Sequence, residues 1–219
     1  AGDVDAATAR PMVERWFGPI ARGPAVANHH ADVPTLPAPL AREVTDQIAT
    51  TRIFRMWAIP GWSSEDGPAL DVAASVLGGL SSSRLDNALV RGDQLALSVS
   101  AGSQPFEDMG IFMVSADVKP GVDPALVGQR VDAIIGDLLR DGPTDDEVQR
   151  AVMSGLSGQI AGFESVGGFG GKATALAEGQ LYAGNPDYFR TQISRFAHET
   201  PAHVREVASR WLSRPVFSL

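Results

Sequence analysis

The chain has 219 residues, 44% of them hydrophobic and 20% charged, enough apolar material for one large domain with a packed core. Acids outnumber bases by 26 to 18, the net charge is -8 and no basic run occurs, so nucleic-acid binding is excluded as a working class. The absence of cysteine excludes disulfides and thiolate chemistry, and no apolar run nears the ~20 residues that span a bilayer. None of this fixes the compartment, and both cytoplasm and periplasm stay open.

Residues 1–22 read as a strand end, a helix and a stop. Asp5 is placed to cap a helix with Val13, Trp16 and Phe17 on one face, and Gly18-Pro19 ends it. The first residues lack the charged and apolar regions of a signal peptide and begin abruptly, as a piece of a longer chain would. Residues 23–41 are rich in proline and lack apolar periodicity, the pattern of an extended, semi-rigid linker.

From residue 42 the pattern tightens. "TRIFRMWAI" (51–59) alternates as a strand and ends at Pro60-Gly61. "DGPALDVAASVLGG" (66–79) predicts a helix with Pro68 in its first turn and glycines at its end. "SSSRLDNALVRG" (81–92) predicts a short helix opened by a serine cap. "LALSVSAG" (95–102) and "MGIFMVSADV" (109–118) form a hairpin turning near Pro105.

A helical run completes the chain. Residues 124–140 line up Val127, Val131, Ile134, Ile135 and Leu138 on one face. The segment 144–164 opens with Thr144 and Glu147 at capping-box spacing. Further helical pieces follow, and "PVFSL" reads as the start of a strand. Strand, two helices, hairpin and helices predict an α+β fold, an antiparallel sheet with helices packed on one face.

Several patterns invite chemistry and fail on spacing. In the glycine cluster "SVGGFGGKAT" (165–174), Val166 stands where a P-loop needs its first glycine, and Ala173 stands where magnesium needs a hydroxyl. A flexible joint between helices is the better reading. His198 and His203 are five residues apart with Pro201 between them, so they cannot share a helix face as paired metal ligands do. His29-His30 lies in the linker, no H-x-x-E-H or its inverse occurs, and no G-x-S-x-G marks a nucleophile. The tripeptide Arg91-Gly92-Asp93 could be an adhesion signal, but it closes a helix with Gly92 as its stop, where an adhesion loop needs an exposed tip.

Taken in order, these stretches resemble one family. "GDVD…VERWFGPI" is similar to the end of the first half-domain of pitrilysin/insulinase-type zinc metallopeptidases, the group that includes mitochondrial processing peptidase. "DGPALDVAASVLGGLSSSRLDNALVRGDQLALSVSAG" resembles the opening of the second half-domain, with its D-x-x-A-L helix, a glycine, S-S-R-L, and an Arg before L-A-Y-S-V. "GIFMVSADVKPGVD" and "DGPTDDEVQRA" continue the likeness, which covers nearly the whole chain.

The resemblance implies two α+β halves that close like a clam around an extended peptide. It divides the chain into the last helix of the preceding half (1–22), a linker (23–41) and the second, non-zinc half (42–219). Zinc, held by H-x-x-E-H and a distal Glu, is expected in the preceding half, with no cofactor, metal ligand or catalytic residue in this segment. The expected partners are that half-domain, a homologous subunit in a homo- or heterodimer, and a peptide substrate. Such second halves can contribute an Arg and a Tyr that contact the substrate backbone and the oxyanion. Arg91 matches the Arg; the Tyr position reads Leu97, one residue closer than the usual spacing. Leucine donates no hydrogen bond, so the resemblance admits two readings. One is the second half of a zinc-bearing peptidase; the other is a structural, inactive homologue that pairs with a catalytic subunit.

One expectation concerns apolar burial. Val13, Trp16 and Phe17 are each worth about 1.5–3 kcal/mol when buried. Segment 1–22 is therefore expected to dock on a neighbouring copy, to pack on the second half-domain, or to lack order, docking being favoured.

Overall fold

A computed structural model describes residues 2–24 and 32–219. His29 and His30, assigned to the linker, lie outside the described residues. Strand β2 (Arg52–Pro60) alternates as its sequence demands, burying Ile53, Trp57 and Ile59. It pairs antiparallel with β4 (Met109–Val118) from Arg52↔Asp117 to Pro60↔Met109, and β4 pairs antiparallel with β3 (Ala96–Pro105). Trp57 and Phe112, opposite each other in this register, meet edge to face at 6.2 Å.

Two short strands, β1 (Leu40–Ala41) and β5 (Phe217–Ser218), complete a five-stranded sheet in the order β1-β5-β2-β4-β3. The strand start expected at the end of the chain is β5 (Phe217–Ser218), antiparallel to β2. Its other neighbour, β1 (Leu40–Ala41), runs parallel to it. The sheet is thus antiparallel except for this pair, and the end of the linker is an edge strand. Proline density in 23–41 hid those two residues, which only a partner distant in sequence makes into a strand.

The helices cover one face. Helix α2 (Gly67–Ala74) buries Ala69, Leu70, Val72 and Ala73 and continues as a wider, π-type turn over Ser75–Gly79. That turn passes so close to β3 that a Cβ on Gly78 would sit 2.7 Å from the Ala101 nitrogen. Helix α3 (Pro124–Asp141) buries Val127, Val131, Ile134, Ile135 and Leu138, the stripe its periodicity defines. Helix α4 (Asp145–Glu164) opens with both bonds of the capping box: the Glu147 N–H donates to Thr144 Oγ1 at 3.2 Å, and the Thr144 N–H to the Glu147 carboxylate at 2.8 Å. Helices α5 (Lys172–Ala183) and α6 (Tyr188–Ala197) lead to α7 (Pro201–Leu212), which buries Val204, Val207, Ala208 and Leu212. The α+β architecture with helices on one face stands.

The first helix departs from expectation. Asp5 caps α1 (Ala6–Phe17) through the Thr8 N–H at 2.7 Å, and the helix ends where Gly18 follows. It is formed, yet none of its residues is buried, and Trp16 is 69% exposed. Packing on the second half-domain is therefore corrected, as is lack of order. The apolar faces of α2, α3 and α7 are spent on the sheet and on one another, and α1 is left with an uncovered face.

Candidate substrate-contact site

The segment carrying Arg91 is a wide, π-type turn over Asp86–Gly92. Such turns interrupt ordinary helix geometry and recur at functional positions. Its start is fixed by Ser83, whose hydroxyl accepts the Asp86 N–H at 3.4 Å, in the manner of the expected serine cap. Arg84 anchors it more firmly. Its guanidinium donates to both Glu147 carboxylate oxygens at 2.7 Å and to the Gly142 carbonyl at 2.9 Å. Burial pushes the Glu147 carboxyl up, but the Arg84 guanidinium and the Thr144 N–H outweigh it and hold the group below its ordinary value.

Sequence reasoning missed this clamp. Its signal is the Arg of the S-S-R-L stretch, an arginine beside a buried serine and a buried leucine that needs a carboxylate partner.

At the other end of the turn Arg91 stands in solvent, its side chain 59% exposed, held by a 2.7 Å ion pair to Asp86. The tripeptide does close the helical segment, but Gly92 is not its left-handed stop. The one non-glycine residue at positive φ among those described is Gln94, at 54°. Asp93 is occupied by Arg130 at 2.8 Å. The turn is sewn to the hairpin through Leu95, whose N–H reaches the Leu89 carbonyl and whose carbonyl accepts the Lys119 N–H.

Leu97 is the second residue of β3, and it sits in a bulge. Ala96 faces Val118 and Ser98 faces Asp117, so Leu97 is the extra residue between them, 52% exposed. A bulge re-aims a side chain at a strand's start, and here it turns out a leucine.

Beyond Leu97, the sheet face away from the helices carries a polar end and an apolar end. Arg52 donates to both Asp117 oxygens at 2.5 and 3.0 Å, and the Ser98 hydroxyl donates to Asp117 at 2.7 Å. These bonds, Arg52 first, hold the Asp117 carboxyl below its ordinary value. Further along, Met56 faces Met113 and Ala58 faces Ile111. Pro34 to Leu36 of the linker line a hollow of about 250 Å³ with Met56, Ile111 and Phe217.

The remaining motifs are structural. Among the described residues no three His, Asp or Glu side chains gather as a metal would require. His198 Nδ1 donates to the Ser194 carbonyl and His203 Nδ1 to the Glu199 carboxylate, each at 2.7 Å. The glycine cluster joins α4 to α5, and the Thr174 hydroxyl donates to the Gly168 carbonyl.

Residues 1–154 match the family described as the peptidase M16 inactive domain. The chain belongs to the peptidase M16 inactive-domain family. It is 31% identical over 147 residues to an uncharacterized zinc protease of Streptomyces coelicolor, covering 67% of this chain and 31% of that protein. Among solved structures, a protease from Helicobacter pylori superposes with a TM-score of 0.85 at 17% identity, over 99% of this chain and 53% of the other. The peptidase M16 inactive domain from Pseudomonas fluorescens does so with 0.78 at 19% identity, over 99% and 51%. At these identities the superpositions establish the fold alone. The M16 chain described here thus spans about a third of its curated relative and about half of those solved chains.

Proposed function

We propose that this chain is the second, non-metal-binding half of a zinc-dependent endopeptidase and closes the cleft over an extended peptide. The observation that carries the reading is membership of an M16 inactive-domain family by a chain that spans only part of the proteins it resembles. Residues 1–22 are then the last helix of the preceding half-domain, 23–41 the linker and 42–219 the second half. The exposed face of α1 supports this division, because Trp16 and Phe17 need a surface that the described chain lacks.

Zinc would be held in the preceding half, where it would activate water for attack on the peptide bond. The His and carboxylate side chains described here do not fit a zinc site. The part left to this chain is contact with the peptide. Arg91 presents a solvent-facing cation with donors suited to a backbone carbonyl or to developing negative charge, on a turn that Arg84 holds in place.

A second reading, a structural homologue that pairs with a catalytic subunit, is favoured by Leu97, an apolar side chain where the family's hydroxyl donor would stand. The test is peptidase activity of the protein that joins both halves, with and without a chelator, beside its Arg91→Ala variant. Chelator-sensitive cleavage, slowed by the substitution, is expected. Cleavage unchanged in the variant would leave Arg91 only its ion pair with Asp86. No cleavage, in a protein lacking H-x-x-E-H upstream, would favour the structural subunit.

A further inference from the structure

A cavity of about 660 Å³ opens where the ends of β2 and β3 meet helices α2, α4, α5 and α6. That volume suits a small organic molecule. It exists because α4 changes character along its length. The first half of α4 buries Val148, Ala151 and Val152; the second presents Gly155, Gly158 and Gly162 to the cavity. A Cβ on Gly158 would meet nothing within 4 Å, so the empty space is not a requirement of packing there. Gly158 alone of the three leaves room: a Cβ on Gly155 would strike the Phe196 ring at 2.5 Å, and one on Gly162 would come within 3.3 Å of the Gly170 carbonyl oxygen.

The walls are apolar and aromatic, with Trp62, Phe163, Phe189 and Ile193. Into this lining project two carboxylates, Asp71 from α2 and Glu178 from α5, and among the described residues no Lys, Arg or His lines the cavity. Asp71 is the only charged residue of α2, whose other side chains are mostly core. Among the described residues, the one side-chain bond of Asp71 is from the Ser103 hydroxyl on β3. Glu178 has no hydrogen bond or ion pair among the described residues. Asp71 is reached by solvent from the cavity yet crowded by protein. This crowding pushes its carboxyl up to about 6, against the Ser103 bond.

We propose that this cavity binds a small organic cation, a primary amine carried on an aryl or alkyl group. The ammonium would take Asp71 as its counter-ion, with Glu178 adding negative potential, and the apolar group would lie among the aromatic rings over the glycine face. An aromatic wall adds cation–π attraction. A neutral ligand of the same shape would leave Asp71 uncompensated.

The probes are phenethylamine and tryptamine, titrated by calorimetry into the 219-residue chain at neutral pH, with 2-phenylethanol as the uncharged match. One-site binding of at least one amine is expected, at least about tenfold tighter than the alcohol, since a bond to a charged group contributes about 1.5–3 kcal/mol. Asp71→Asn should remove about that advantage. Gly158→Leu, whose side chain enters open space, should abolish binding while the thermal transition stays cooperative. Amine binding should also weaken as the pH falls through about 6, where Asp71 takes up its proton. Failure of both amines to bind the unaltered chain would overturn the proposal. So would equal affinity for amine and alcohol, an amine affinity unchanged by Asp71→Asn, or binding that survives Gly158→Leu.

Discussion

Helices α1 and α3 share a design and differ in fate. Each opens on an aspartate whose side chain accepts a backbone N–H, and each carries an apolar stripe at helical spacing. The stripe of α3 is buried against α7 and β4, with Val131 at 1% exposure, whereas Val13 of α1 is at 54%. Periodicity records that a helix has a face to hide; it does not record where the partner lies. In α3 the partners are α7, far downstream in the chain, and β4, just upstream; in α1 no described element of the chain supplies one.

Substitution should expose that difference most strongly. Val131→Asp places an unpaired charge in the core and should destabilise the isolated chain by at least about 3 kcal/mol in urea melts. Val13→Asp should change it by no more than about 0.5 kcal/mol, as a surface substitution does. Comparable losses would mean that α1 is covered after all.

The two arginines of the turn sharpen the same contrast on a smaller scale. Arg84→Ala strands Glu147 and the Gly142 carbonyl and should cost about 2–3 kcal/mol, the range for losing a bond to a partly buried charge. Arg91→Ala removes an exposed ion pair and should cost under about 1 kcal/mol of stability. Equal costs would make Arg91 a second anchor and weaken its assignment to substrate.

The capping box allows a finer cut. Thr144→Ala should lose about 1 kcal/mol, with circular dichroism following the melt. Glu147 adds a pH signature with a definite sign. Its folded carboxyl lies below the ordinary value of 4.5, so its contribution is present above that value and lost as pH falls through the depressed one. Arg84→Ala should therefore flatten the acid side of the stability profile. A profile left unchanged would show that the pair is not what depresses Glu147.

What the sequence made legible follows from range. Local signals were read correctly: Asp5 and Thr144 as caps, the five-residue stripe of α3, the alternation of β2, and Arg91 at the end of its turn. What depended on a distant partner was not. Leu40 and Ala41 become a strand only against β5, and Arg84 finds Glu147 across 63 residues. Asp71 illustrates both sides. A lone acid in an apolar helix is visible as a letter, but the cavity it faces depends on glycines and a ring from α4, on rings from α6 and on Trp62, which only the fold brings together.

The central claim is that this chain is the metal-free half of an M16 zinc peptidase, and metal content tests it most directly. After saturation with zinc and removal of the excess, the 219-residue chain should hold far less than one zinc per chain. The protein joining both halves should hold about one, in keeping with a single catalytic site. About one tightly held zinc on the 219-residue chain alone would contradict the account.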